Sequence, residues 1–288
     1  MDKRKIMWLC ITVIFSPANR RVWEIYDKYN DIEDMFAQLN NNKCNFLFEQ
    51  EQSQLHSSYI KQAQGIAEYC IKHDISIITP DDESYPQRLK NIACPPTVLF
   101  CMGDPDVLNS DHSISIVGAR DAGKYSIKTA EKFSFELAQN GVTVISGFAV
   151  GIDRCAHLSA LRAGGKTIAV LGSGIMYDYP KGTMEYKRMI SQNGAVISEY
   201  FPTAQCVPNN FKVRNRLISA LSDGVLIVQA GEKSGAVNTA SHALEQGKEV
   251  FVIPPHDIFN KAYYGQSALI RDGACPVFSP DDILSYLE

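Results

Sequence analysis

Four groups of residues occupy equivalent places in the sequence: Gly118 and Arg120; Ser146, Gly147 and Gly151; Gly172 and Gly174; and Lys233, Ser234 and Gly235. Each follows a short apolar run and precedes a segment with helical spacing. A strand that ends in a glycine turn and then a helix start gathers unpaired backbone N–H groups and the positive end of the helix dipole. Phosphate and other oxyanions bind at such a point, and glycine lets them approach the backbone closely. Two cations add to this chemistry. Arg120 lies just past the first strand end, where a guanidinium can reach phosphate, and Lys181 follows Tyr179–Pro180 in the turn after the third. Within FKVRNR (211–216), Arg214 and Arg216 could grip phosphate, or instead bond carboxylates and brace a helix entry; the pattern leaves both open. Together the four strand ends read as one extended anion site.

Other chemistries fit less well. GARDAGKY (118–125) meets the pattern G-x-x-x-x-G-K, but Tyr125 stands where a nucleotide-hydrolysing loop needs Ser or Thr for magnesium. The run VLIVQA reaches Gln229 rather than an acid, and GSGIMY (172–177) lacks the third glycine of a dinucleotide fingerprint. Asp153 and His157 share a helix face. They suit an acid–base pair or, the reading adopted, a helix N-cap beside a histidine bonded to a neighbouring loop. With no serine–histidine–acid set, carboxylate pair or metal-ligand spacing, the expectation is no catalytic residue, no metal and no cofactor. Tyr125, Phe148, Tyr177, Tyr179, Phe201 and Phe211 lie near the same turns. Most should pack, while one or two could stack on bases, which would suit single-stranded nucleic acid.

The elements needed to hold these turns are legible in the pattern. A chain of 288 residues, 45% hydrophobic and 21% charged, with a net charge of −4, is globular and not coated in positive charge, although a local basic groove is allowed. Eight cysteines with no C-x-x-C pair read as reduced thiols in a cytosol. MDKRKIMWLCITVIF has the basic start and apolar run of a secretory leader, but the run is short and no small-residue cleavage site follows. It reads as a first core helix, and no other stretch is long enough to span a membrane. Residues 1–74 form a small all-helical domain on this reading, with helices over 20–29, 31–39 and 52–72 and a polar loop at 40–45.

Residues 75–288 read as one α/β domain. A strand over 75–78, a turn, a short helix over 87–92 and the strand TVLFCMG should extend one sheet edge. Beyond them, strands near 113–119, 142–147, 167–172, 195–200, 224–230, 249–254 and 275–279 alternate with helices near 124–140, 153–163, 183–193, 213–222, 236–246, 266–272 and 280–287. Unbroken apolar runs such as TIAVL belong to a parallel sheet covered on both faces. Gly141, Gly164, Gly194, Gly224, Gly247 and Gly273 follow helices as left-handed caps would. The expected fold is therefore an extended, Rossmann-like, doubly wound and mostly parallel sheet preceded by a helical unit, with ligands at the strand carboxyl ends.

The series VGAR, SGFAVGID with His157, TIAVLGSG, YPK, ISEY, RNRLISALSDGVLIVQA, KSGAVNTA and GQSALIRDGA resembles, in order and spacing, the DprA/Smf family of DNA-processing proteins. The resemblance covers roughly residues 75–288. It implies a non-enzymatic, homodimeric, cytoplasmic binder of single-stranded DNA that loads the RecA recombinase during uptake and recombination of incoming DNA. It also implies a DNA pocket at Arg120, Lys181 and the glycine turns. Lys212 replaces the proline of the family's FPxRNR, Thr183 an asparagine and Gln229 an acid, and IPP (253–255) replaces VPG. Residues 1–74 match only in length and helicity, and the winged-helix domain that many relatives carry is not expected within these 288 residues. The alternative is a nucleotide-binding or nucleotide-cleaving enzyme resembling the phosphoribohydrolases, which share the sheet. Their P-G-G-x-G-T-x-x-E turn carries a catalytic glutamate, and QAGEKSGAVNTA (229–240) has no matching acid.

Overall fold

A computed structural model describes residues 2–29, 31–40, 47–55 and 58–288. The amino-terminal unit comprises α1 (Lys3–Phe15), α2 (Arg21–Tyr26), α3 (Ile32–Asn40), α4 (Glu49–Leu55) and α5 (Tyr59–Lys72). The leader-like run is α1, and Met7 to Phe15 are all buried, so it is a core helix. Asp2 and Asp31 each accept a backbone N–H two residues on, at 3.2 and 2.7 Å, and so open α1 and α3. The single helix expected over 52–72 is two, α4 and α5. Of the loop expected at 40–45, Asn40 ends α3 and the rest lies outside the described residues. Trp8 donates to Asp81 at 2.9 Å, and the Thr12 and Thr97 hydroxyls meet at 2.8 Å in the interior. These bonds fasten the helices to the segment that leads into the sheet.

That segment contributes β1 (Ser76–Ile78), α6 (Gln87–Lys90) and β2 (Leu99–Gly103). The alternating part follows as β3 (Ser113–Gly118), α7 (Lys124–Gln139), β4 (Thr143–Ser146), α8 (Ile152–Arg162), β5 (Thr167–Val170), α9 (Met184–Gln192) and β6 (Gly194–Ser198). It continues as α10 (Pro208–Leu221), β7 (Gly224–Gln229), α11 (Gly235–Glu245), β8 (Glu249–Val252), α12 (Tyr264–Arg271), β9 (Cys275–Pro276) and α13 (Pro280–Leu287). The nine strands form one sheet in the order β1-β2-β6-β5-β4-β3-β7-β8-β9. β1 and β2 add antiparallel at one edge, and every other pairing is parallel.

Alternation along the strands divides the apolar runs between two cores. Ile114, Ile116, Leu226 and Val228 pack with α7, α8 and α13. Val117, Ile145, Val170 and Ile227 pack on the other face with α10 and α11. Phe100, Ala169 and Val196 join the amino-terminal helices in a third cluster. The result is a doubly wound, Rossmann-like α/β fold. From β3 the chain winds outward through β4, β5 and β6, then returns through α10 to β7 on the opposite side. Connections diverge there, so the carboxyl ends of β4, β3 and β7 border an open crevice, the usual ligand position in such sheets.

Two local expectations change. α10 starts at Pro208 rather than near 213, with proline in the first helical turn, which puts FKVRNR inside the helix. Gly194 and Gly224 are not left-handed caps but the first residues of β6 and β7. A Cβ at Gly194 would lie 2.0 Å from the Thr167 carbonyl oxygen, so the close approach of β5 requires the glycine. Among the described residues, no helix is long and apolar enough to cross a membrane.

Candidate nucleic-acid interface

The crevice is occupied by two adjoining clefts. The larger, about 530 Å³, opens between the loop after β3, the first turns of α10 and the start of α11. The smaller, about 160 Å³, lies over the loops after β4 and β5. Arg120, Ala149, Tyr179 and Phe211 line both and form the partition between them. The Phe211 ring is central: the guanidinium carbons of Arg120 and Arg214 lie 5.7 and 5.8 Å from its centroid, and the Tyr179 ring 5.6 Å. A half-buried aromatic beside an exposed guanidinium offers both stacking and phosphate contact. Of the charged groups lining the larger cleft, Asp153 and Arg214 offset each other, which leaves Arg120 and Lys212 as a surplus of positive charge. Both are exposed, and neither has a carboxylate partner among the described residues.

The floor is held by buried polar groups. Arg214 donates to the carbonyls of Gly147, at 2.8 Å, and Val170, and so ties the ends of β4 and β5 together. Asp153 lies opposite it and accepts backbone N–H groups from Ala149, Gly118 and Gly147. The central glycine turn is therefore an anion site, as its sequence suggested, but its anion is the protein's own carboxylate. Burial raises the Asp153 pKa above the ordinary carboxylate range, and Arg214 together with these N–H groups pulls it back. Burial also pushes the Arg214 guanidinium down to about 10, which leaves it charged at neutral pH. Asp153 sits within the first turn of α8, where Gly151 and not Asp153 is the N-cap. His157 is wholly buried and pairs with the Thr167 hydroxyl of β5 at 2.7 Å rather than with a loop. Desolvation, with the Arg214 charge adding to it, drives the histidine down to about 3, so the imidazole is neutral.

The smaller cleft's rim is pinned by Lys187. This fully buried amine donates to the carbonyls of Ile175 and Tyr177 at 2.9 and 2.7 Å. Burial lowers its pKa to about 8. The next residues reach the cis Tyr179–Pro180 bond, and both line the cleft.

The structure brings together part of the expected set. Gly118, Arg120, Arg214, Ser234 and Gly235 line the larger cleft, and Gly147 and Gly172 the smaller. Ser234 also caps α11 by accepting the Val237 N–H at 3.4 Å. Lys181 and Lys233 are exposed and do not line either cleft. Ser146 is fully buried and donates to the Ile116 carbonyl at 2.6 Å. Gly151 and Gly174 permit close packing: an added Cβ would meet the Ala119 carbonyl at 2.4 Å and the Phe201 carbonyl at 2.3 Å, respectively. Arg216 lies outside the clefts, buried in an ion pair with Glu199. Phe148 and Phe201 are packing aromatics, against Tyr186 and Phe100. Phe211 emerges as the shared wall, and Lys212, noted in the sequence only as a departure from FPxRNR, as a second cation facing the cleft.

A sequence model of the family described as DNA recombination-mediator protein A matches residues 76–288. DNA processing protein DprA of Bacillus subtilis is 35% identical, over 82% of this chain and 78% of its own length. Protein Smf of Escherichia coli is 39% identical over 74% of this chain, and this chain spans 56% of its length. Among solved structures, DNA processing protein A from Streptococcus pneumoniae aligns over 98% of both chains, at 29% identity and a TM-score of 0.80. DNA processing protein A from Helicobacter pylori, described for its single-stranded DNA binding mode, covers 74% of this chain and 95% of its own, at 32% identity and a TM-score of 0.65. With its doubly wound sheet and the crevice at its switch point, the chain belongs to the DNA recombination-mediator protein A family.

Proposed function

We propose that the chain binds single-stranded DNA in the paired clefts at the sheet's carboxyl edge. The observation that carries this reading is the shared wall, in which the half-buried Phe211 ring has the exposed Arg120 guanidinium and the Tyr179 ring 5.7 and 5.6 Å from its centroid. A base has a flat face for such a ring whatever its identity, and a phosphate has oxygens for the guanidinium. A duplex hides its bases in the stack, so only a single strand can use both. Arg120 and Lys212 supply the phosphate contacts from within the clefts, and Lys181 and Lys233 meet the strand outside them. The Helicobacter relative, described for single-stranded DNA binding, supports this assignment.

The mediator role extends the same reading. The strand is held without cleavage and passed to a RecA-type recombinase, and the chain works as a homodimer, with the short edge strand β9 and α13 at the contact. The family's description as a recombination mediator supports the first statement. An exposed sheet edge with Phe278 78% exposed beside it supports the second. The helical unit of residues 1–74 acts as a brace for the β1–β2 edge.

The test is a titration of labelled oligo-dT, the matching blunt duplex and free nucleotide at several salt concentrations, with light scattering of the same samples. The single strand is expected to bind most tightly, with affinity falling in salt by a slope of about −0.7 per phosphate neutralised. Equal or tighter binding of the duplex would reject the reading, and a monomeric mass at micromolar concentration would reject the dimer.

A further inference from the structure

A second aromatic cluster lies on the same edge of the sheet, beyond β7. Tyr125, in the first turn of α7, stacks on His256, in the loop after β8, with centroids 4.8 Å apart and planes 25° from parallel. Tyr263 closes the stack edge-on, 4.7 Å from His256. The Gly123 N–H donates to Gln229 Oε1 at 3.0 Å, which ties the loop that carries Arg120 to the end of β7. The stack is thus fixed from behind while its outer side is open. Tyr125 is 50% exposed and Phe259 84%. The backbone at Phe259 is held in place: its N–H donates to Asp257 at 2.9 Å, and the Tyr264 hydroxyl donates to its carbonyl at 3.3 Å. A phenylalanine so exposed on a fixed turn, three residues along the loop from His256, has no packing role in the monomer.

Charge around the rings favours an anion. Lys124 and Lys261 are their neighbours in sequence, both exposed and without a carboxylate partner among the described residues. Asp121 is the exposed acid of the same loop, and the Asp257 carboxylate is engaged by the Phe259 N–H.

We propose that Tyr125, His256 and Phe259 form a second base-stacking platform for the strand held in the clefts, an inference that rests on the single-strand reading above. Continuity carries it. A strand leaving the larger cleft past Gly118 and Arg120 meets Tyr125 at the end of the same loop, and β3 and β8 are two strand spacings apart, about 10 Å. Open ring faces accept any base, and lysines beside them match a phosphate backbone. The rival occupant is a second copy of the chain seated on Phe259.

The test measures fluorescence anisotropy of the full chain with oligo-dT of about 4 to 16 nucleotides. Melting temperatures confirm that each variant is folded. Tyr125→Ala and His256→Ala are expected to bind the shortest strand that wild type binds with unchanged affinity. On the longest strand each should lose roughly tenfold, the worth of one stacked base. Tyr125→Phe, which keeps the ring, should match wild type at every length. Wild-type affinity of both alanine variants at every length would overturn the platform. So would an equal loss at every length, which would place the effect in the cleft loop. A reduced sedimentation mass for Phe259→Ala with unchanged long-strand affinity would assign the patch to a second copy. Wild-type protein that binds no strand of any length would refute the single-strand reading itself.

Discussion

Acid should unfold this protein through one histidine in particular. Thr167 Oγ1 gives its own proton to the Val144 carbonyl at 2.7 Å, so it can only accept from His157, and the imidazole proton therefore resides on Nδ1. The other ring nitrogen, Nε2, is buried with no partner. Protonating it would place an uncompensated charge in the interior, with Arg214 near enough to repel it, and the pKa accordingly falls from 6.5 to about 3. In the unfolded chain the same group titrates normally. Between these values the unfolded state binds the extra proton, so stability is fully present above pH 6.5 and is lost as pH falls toward 3. At 1.36 kcal/mol per unit, the loss is about 2 kcal/mol by pH 5 and about 5 kcal/mol at the lower end. That is a large share of a typical net stability of roughly 5–15 kcal/mol. The assay is urea unfolding at a series of pH values for wild type and His157→Asn, whose amide N–H can still reach Thr167. The variant should start less stable at pH 7 and show a shallower acid limb. Parallel limbs in the two proteins would refute the reasoning.

Three further outcomes follow from the same geometry. Arg216→Ala strips the partner from the buried Glu199 and should destabilise by about 3–5 kcal/mol in chemical denaturation, while single-strand affinity of the folded fraction stays near wild type. Gly172→Ala places a Cβ 2.8 Å from the half-buried Phe211 ring and 3.3 Å from the Phe211 Cα, so the ring must turn and the start of α10 must give slightly. Its melting temperature should fall, while oligo-dT affinity of the folded protein drops by ~1 kcal/mol or more as the stacking face turns away. Lys187 has a folded pKa of about 8 against 10.5, so the unfolded chain holds more protons between those values and stability rises with pH there. Lys187→Met should flatten that rise by up to ~1.4 kcal/mol per pH unit, and equal slopes would disprove it.

The centre of the sheet was legible because strands such as β5 and β7 are continuous, mostly apolar runs with glycine close by in sequence. The strand ends were legible for the same reason, and Arg120, Gly118, Gly147, Gly172 and Gly235 indeed gather at one crevice. What escaped the sequence depends on partners far along the chain. Arg216 looks the same as Arg214 in FKVRNR, yet Glu199 draws one out of the clefts while the Gly147 and Val170 carbonyls hold the other beneath them. The turn SGFAVGID has the pattern of an anion cradle, and local spacing does not reveal that Asp153 would fill it. The helix expected from about 213 omits Pro208 to Lys212, the first turn of α10, and without those residues the direction in which Phe211 and Lys212 point stayed hidden.

The central claim is that Arg120 and its aromatic neighbour bind a single strand at the carboxyl edge. Its most direct test is the affinity of Arg120→Ala for oligo-dT across a salt series, beside wild type, with matching melting temperatures as the control for folding. Arg120 is exposed and has no ion-pair partner among the described residues, so its loss should leave the fold intact. The account predicts binding weaker by roughly 1–3 kcal/mol and a salt slope smaller by about 0.7, the same for any base sequence. Unchanged affinity and an unchanged slope would contradict it.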